Sequence, residues 1–148
     1  MNMREILESG VIALNLRATS KDEVIRELID LMLAQGLVQD REDALGAIME
    51  RERRMSTGMQ HGVALPHGKS RKITRMAVAL GLKKEGVDFE SLDGQPARII
   101  VMSIAPASQA FLQLRFLSEI GKLLNVDSVR EKLLSAETVA EVIASLTA

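Results

Sequence analysis

Two histidines, His61 and His67, lie six residues apart in HGVALPHGKS (61–70), and they are the only imidazoles in a chain without cysteine, tryptophan or tyrosine. Imidazole has an ordinary pKa of about 6.5, so near neutral pH one ring nitrogen is free to take a proton, bind a metal or attack phosphorus. His67 stands between Pro66 and Gly68. The proline fixes its own φ and biases Leu65 toward extended geometry, and the glycine lets the backbone turn or approach another group closely. His67 is therefore expected at a strand end with its side chain aimed in a defined direction. On local residues alone it is either reactive or a structural histidine held by a hydrogen bond at a turn; both readings stay open. Metal binding is the weaker idea, because two imidazoles leave a zinc site short of ligands and no HExxH spacing is present. A serine-hydrolase triad lacks its G-x-S-x-G elbow.

Just upstream, RERRMSTG (51–58) holds what a phosphoryl group needs. Arg51 and Arg53/Arg54 offer charge-assisted donors, Ser56 and Thr57 offer hydroxyls, and Gly58 permits close backbone approach. Arginines in the last turn of a helix also complement its dipole, and a run of charge usually forms a solvated face. It is the combination with His67 that raises the functional reading.

The elements that position these residues can be read from the patterning. SKDEVIRELIDLMLAQG predicts a helix, with Ser20 and Glu23 at capping-box spacing, Val24, Leu28, Leu31 and Met32 on one face, and Gly36 at its end. A second helix is expected from Asp40, with Ala44, Leu45, Ala47 and Ile48 inside. Strands are expected over 11–16, 62–65, 75–82 and 97–105, the last apolar on both faces as a doubly covered strand would be. Turn signals fill the stretch KKEGVDFESLDGQP. Residues 109–125 and 127–148 read as helices, with apolar stripes at Leu112, Phe116, Ile120 and Leu123/Leu124, and at Val139, Val142, Ile143 and Leu146. Helices before and after a block of strands predict one α/β domain over 1–148, a sheet with helices on both faces and no internal linker.

The composition is consistent with that: 148 residues, 47% apolar and 26% charged, with an aliphatic core dictated by only three phenylalanines. A formal charge of -1 gives no net drive toward nucleic acid or anionic lipid. The absence of cysteine excludes disulfides, cysteine nucleophiles and thiolate metal sites. No signal-like start and no apolar run near the roughly 20 residues of a membrane span lead to the expectation of a cytoplasmic protein.

Taken whole, RERRMSTGMQHGVALPHGKS resembles the active-site segment of enzyme IIA domains of the fructose–mannitol type, from the bacterial phosphoenolpyruvate-dependent phosphotransferase system. It is most similar to the nitrogen-regulatory branch, with its pattern R-E-x-x-x-S-T-G-I-G-N-G-[IV]-A-[IL]-P-H-[GA]-[KR]. VDFESLDGQPARIIVMSIAP (87–106) and QLRFLSEIGKLL (113–124) match in the same order. The resemblance implies a mixed sheet flanked by helices and a phosphohistidine carrier. His67 would accept a phosphoryl group, on Nε2 by family analogy, from an HPr-like protein, with Arg51, Ser56 and Thr57 beside it. It would pass the group to a IIB domain or switch a regulatory target. No cofactor or metal is implied, and no nucleic acid or membrane insertion. Met59, Leu65 and Met76 are candidates for an apolar docking rim.

The chain departs from the family pattern in two places. Where members often carry a second histidine near the phosphorylated one, this sequence has Gln113, which can hydrogen-bond but not carry charge. Where many read G-N-G, it has Gln60 and His61. His61 is thus expected near the site, partly replacing the missing imidazole. The regulatory carrier is the leading expectation; a docking module with weakened chemistry and the IIA component of a sugar transporter are the alternatives.

Overall fold

Strand β5 (Ala97–Ala105) is the axis of the fold: every residue of it except Arg98 is buried. The computed structural model describes residues 1–147. On one side β5 pairs antiparallel with β4 (Ala77–Val87), which pairs parallel with the edge strand β1 (Val11–Ala13). On its other side two short strands, β2 (Val63–Ala64) and β3 (His67–Lys69), lie end to end, both parallel to β5. They keep a single register, with Val63 opposite Ile99, Ala64 opposite Ile100 and His67 opposite Ser103. Leu65 and Pro66 therefore break the ladder without slipping the chain. Pro66 has no N–H to give β5 and stands in the gap between the two short strands. The Leu65 N–H turns outward to Thr57 O (3.0 Å) and Pro66 O accepts from Ser103 N (3.1 Å).

Side chains alternate across the pleat, so odd and even positions enter different cores. Ala64, Ile100, Met102 and Ile104 pack under helices α2 (Lys21–Ala34) and α3 (Arg41–Arg54). Val63, Leu65, Ile99 and Val101 pack under α1 (Met3–Glu8), α4 (Ala110–Leu124), α5 (Asp127–Ser135) and α6 (Val139–Thr147). The architecture is the expected mixed sheet with helices on both faces. Ser20 caps α2 by accepting from Glu23 N (3.3 Å), and Asp40 caps α3 through Asp43 N (3.0 Å). Gly36, at φ 73°, ends α2 with Leu37 N bonded to Met32 O and Gly36 N to Leu33 O, the paired hydrogen bonds of a left-handed helix end.

Several expectations need correction. Helix α1 was not foreseen, and β1 is only three residues long. β4 runs five residues past 82 into the stretch read as turns, with an irregularity between Leu82 and Val87 where Gly86 takes φ 81°. Residues 127–147 are not one helix. The chain is extended at Ala136, and Thr138 Oγ1 accepts from Glu141 N (3.1 Å) to start α6. Val139 is then exposed rather than in the stripe; Ala148 lies outside the described residues.

One contact brings α3 to β3. Gly68 faces α3, and a Cβ there would lie 2.6 Å from Ala47 O. Only glycine lets the helix backbone approach so closely. Gly68→Ala is expected to lower stability by about 1–3 kcal/mol through overpacking, read as a lower midpoint in urea unfolding with unchanged slope.

Candidate functional site

Helix α3 buries Ala44, Ile48 and Glu52 at successive one-turn steps. The third is a carboxylate with 6% of its surface exposed, which would be costly without partners. It has three. Lys21 Nζ lies 2.7 Å from Oε2, Thr57 N donates to Oε2 at 3.0 Å, and Thr57 Oγ1 donates to Oε1. Lys21 also stands over the Phe89 ring, 5.2 Å from its centre. Glu52 thus draws the chain leaving α3 back toward the sheet, beside β2. Ser56 Oγ donates to Phe89 O (2.5 Å) and accepts from Gly58 N (3.0 Å). At Gly58 a Cβ would meet Phe89 O and Ser91 Cα, each at 2.9 Å, so two loops touch backbone to backbone. The hydroxyls of Ser56 and Thr57 are fastenings of this loop. In this arrangement their protons are directed to Phe89 O and Glu52.

Arg51, on the neighbouring position of α3, donates from Nη1 to Met55 O (2.8 Å), a helix-end carbonyl. Its charge is close enough to His67 to act on the ring's protonation.

His67 is half-buried, and its Nδ1 lies 2.9 Å from Leu65 O. A carbonyl can only accept, so Nδ1 carries the hydrogen and the neutral ring keeps its lone pair on Nε2. Burial is the largest influence on the ring and pushes its pKa below the ordinary 6.5. The Leu65 hydrogen bond opposes this, Arg51 and Lys69 reinforce it by repulsion, and Glu52 pulls the other way. The result is a neutral imidazole at neutral pH with one nitrogen fixed and the other nucleophilic.

Gln113 lies in the first turns of α4 and is 1% exposed. Its Nε2 faces Gly68 O (3.1 Å), Ser103 O (3.2 Å) and Ser103 Oγ (3.2 Å), and its Oε1 accepts from Lys69 Nζ. The structure does bring Gln113 to the strand that carries His67. The amide is engaged by that strand's backbone, by Ser103 and by Lys69, and makes no hydrogen bond to the ring.

His61 is the clear miss. It is exposed, at φ 63°, with its N–H on Asp93 Oδ2 (3.0 Å). The next residue, Gly62, receives hydrogen bonds from Arg98 N and Ile99 N, whereas His67 sits opposite Ser103. At about 3.3 Å per residue the five steps from Gly62 to His67 alone span roughly 16 Å along the sheet. His61 instead borders a small apolar recess of about 130 Å³ with Met59, Val63, Leu65, Leu92 and Leu124. It cannot substitute for an imidazole at position 113. Of the three rim candidates, Leu65 is core and Met76 is half-buried; Met59 is exposed but lines the His61 recess. The exposed apolar side chains next to site residues in the chain are Met55, Phe111 and Leu114.

Sequence reasoning also missed Glu52, Lys21 and Lys69. The stripe Ala44–Ile48–Glu52 carried the signal for Glu52, hidden by reading RERR as a solvated face.

Residues 5–148 match the family model described as "Phosphoenolpyruvate-dependent sugar phosphotransferase system, EIIA 2". The chain belongs to this EIIA family. It is 37% identical over 139 residues to the fructose-specific EIIA component of Haloferax volcanii, covering 92% of this chain and 90% of that one. It is 38% identical over 138 residues to the fructose-specific EIIABC component of Bacillus subtilis, covering 93% of this chain but only 22% of that longer protein. Its fold superposes on the nitrogen regulatory protein IIA-Ntr of Neisseria meningitidis with a TM-score of 0.88, at 28% identity, over 98% of this chain and 99% of that one. It also superposes on IIA of the Escherichia coli mannitol system in complex with phosphorylated IIB, with a TM-score of 0.76 at 25% identity over 91% and 92% of the two chains. Sugar-specific and nitrogen-regulatory proteins are thus both homologues of this EIIA domain, and the phosphocarrier role holds at the level of the family. Among the described residues no helix is long and apolar enough to cross a membrane, and no three His, Asp or Glu side chains are grouped to hold a metal ion.

Two measurements check this geometry. Glu52→Ala should cost about 3 kcal/mol in urea unfolding, because Lys21 would keep only the longer, exposed contact to Glu90 (3.7 Å) and Thr57 would lose its acceptor. An NMR titration of the His67 ring should give a midpoint below 6.5, with Nδ1 carrying the hydrogen on the alkaline side.

Proposed function

We propose that this EIIA domain is a phosphohistidine carrier in which Nε2 of His67 is the atom modified. The observation that carries the reading is the Leu65 carbonyl on Nδ1, which leaves the Nε2 lone pair as the ring's one nucleophile. The donor is the phosphohistidine of a small HPr-like protein. The Nε2 lone pair attacks phosphorus in line; the donor's P–N bond breaks and its electron pair returns to the donor ring. The group moves as PO₃⁻, and no proton changes hands, because Nδ1–H stays on Leu65 O throughout. The positive charge that the acceptor ring gains is spread onto this bonded nitrogen. Such a transfer needs positioning and charge stabilisation rather than covalent help from neighbours.

The lowered pKa of His67 supports the reading. Protonation would occupy Nε2 and abolish its nucleophilicity, and burial keeps that from happening near neutral pH. Acceptance should be constant above pH 6.5 and fall as pH drops through the His67 pKa. Arg51 has one nitrogen on Met55 O and further N–H groups to offer an incoming phosphoryl oxygen. Ser56 and Thr57 hold the loop in which Arg51's helix ends, and contribute through that.

Downstream, the identities with fructose-specific relatives favour the cysteine of a IIB domain as the next acceptor, while the backbone match to IIA-Ntr favours a regulatory target. The first is the better supported by sequence. Incubation with phosphoenolpyruvate, enzyme I and an HPr-type carrier, followed by intact-protein mass spectrometry at mildly alkaline pH, tests the carrier itself. The domain should gain one acid-labile phosphoryl group and His67→Ala none, with the mutant's circular dichroism melt close to that of the parent. A modified His67→Ala protein, or a parent that stays unmodified while folded, would sink the proposal.

A further inference from the structure

Position 113 raises a question of charge. A neutral amide stands there, fully buried, at the side of the strand that bears the proposed phosphoryl acceptor. Three acceptor oxygens surround its Nε2: Gly68 O, Ser103 O and Ser103 Oγ. Two of them are carbonyls, which can only accept, so the amino group must occupy that side. Oε1 is thereby forced to point the other way, and what it meets is the ammonium of Lys69. Gln113 has no freedom to flip.

Lys69 is two residues beyond His67 on β3, so the two side chains leave the same face of the strand. Their Cα atoms are about 6.6 Å apart at ordinary strand rise. The lysine is exposed as a residue, while its tip reaches the buried Gln113. Its one hydrogen-bond partner among the described residues is neutral, so the ammonium keeps its full charge. That charge is felt at the His67 ring. A lysine has three rotatable donors on a flexible four-carbon stem, and can release one contact to make another without moving the backbone.

We propose that Lys69 is the second cation of the phosphoryl site: it rests on Gln113 Oε1 while His67 is free, and moves its ammonium onto the phosphoryl oxygens as the group arrives on Nε2. The inference rests on the carrier reading above and says how this chain supplies the charge that Gln113 cannot. Lys69 would be a catalytic residue, in contact with the transferred group; Gln113 is the positioning residue that holds it. The phosphoryl transfer is the one already written. Lys69 forms no covalent bond, gives up no proton, and neutralises charge on the equatorial oxygens.

The test compares the parent, Lys69→Met and Lys69→Arg. Lys69 is an exposed residue and lies outside both cores, so the variants should fold; circular dichroism melts confirm it. Rapid-quench measurement gives the rate of phosphoryl acceptance from the phosphorylated HPr-type carrier. Calorimetry with the unphosphorylated carrier gives the docking Kd, and ³¹P NMR reads the environment of the bound group. Lys69→Met should accept at least about tenfold more slowly, as loss of a charge-assisted contact implies. Its docking Kd should stay the same, its ³¹P signal should shift, and Lys69→Arg should recover most of the rate. An unchanged rate in Lys69→Met beside a normally phosphorylated parent would overturn the inference and leave the carrier intact. A Kd that weakens in step with the rate, with the ³¹P signal unmoved, would make Lys69 a docking residue and overturn it too. A folded parent that takes no phosphoryl group would remove the carrier reading and this inference together.

Discussion

The site depends on one buried carboxylate. Glu52 is an awkward group to place at the inner face of a helix end, and its placement is what gives the following loop its shape. With Lys21 neutralising it, the remaining acceptor capacity of the carboxylate falls to the backbone N–H and hydroxyl of Thr57. The chain must then leave α3 in an extended conformation at Met55 and fold back along β2, where Leu65 N reaches Thr57 O and Met59 N reaches Val63 O. Removing the Lys21 ammonium would leave the buried Glu52 carboxylate uncompensated, so Lys21, on a different helix, is as much a part of the site's frame as anything adjacent to His67. Packing then finishes the placement: Ala47 against Gly68 sets how closely α3 and β3 approach.

The histidine strand shows the same economy. Pro66 removes one donor and Leu65 turns its N–H away from the sheet, yet the register of β2 and β3 on β5 is unbroken. The carbonyls that accept from β5 here are those of Gly62 and Pro66, so the Leu65 carbonyl faces away from β5, where it holds Nδ1 of a side chain two residues later. One backbone carbonyl therefore fixes the ring's orientation, its tautomer and which nitrogen is left to react. Burial adds the last element by favouring the neutral ring.

Much of this was legible from the residues, and the failures have physical reasons. The central strand 97–105 was readable because a doubly covered strand must be apolar on both faces, and Ser20, Gly36 and Asp40 marked helix ends through caps that depend on local sequence. His67 stood out because proline and glycine constrain its neighbours. What periodicity could not give was the partner of a polar side chain. Ser56 and Thr57 look like phosphoryl ligands until Glu52 and Phe89 O are seen to hold them. His61 looked close to His67 because six residues are short in sequence; in an extended chain they are far apart. The break at Ala136 was invisible because both halves of 127–147 are amphipathic with nearly the same period.

The electrostatics of the site follow a single logic. Each mobile positive or donor group faces a neutral oxygen: Arg51 the Met55 carbonyl, Lys69 the Gln113 amide and His67 Nδ1 the Leu65 carbonyl. Glu52, the carboxylate whose charge acts on the His67 ring, is held by Lys21 and Thr57. Had carboxylates held Arg51 and Lys69, an arriving phosphoryl group would have to compete with charges already paired, and the exchange would gain little. Neutral acceptors keep the cations oriented while leaving their charge uncompensated. Two cations then act on an uncharged ring whose Nε2 is still deprotonated. That combination suits a group that must be accepted as an anion and given up again, since contacts to neutral oxygens wait to receive the cations when it leaves.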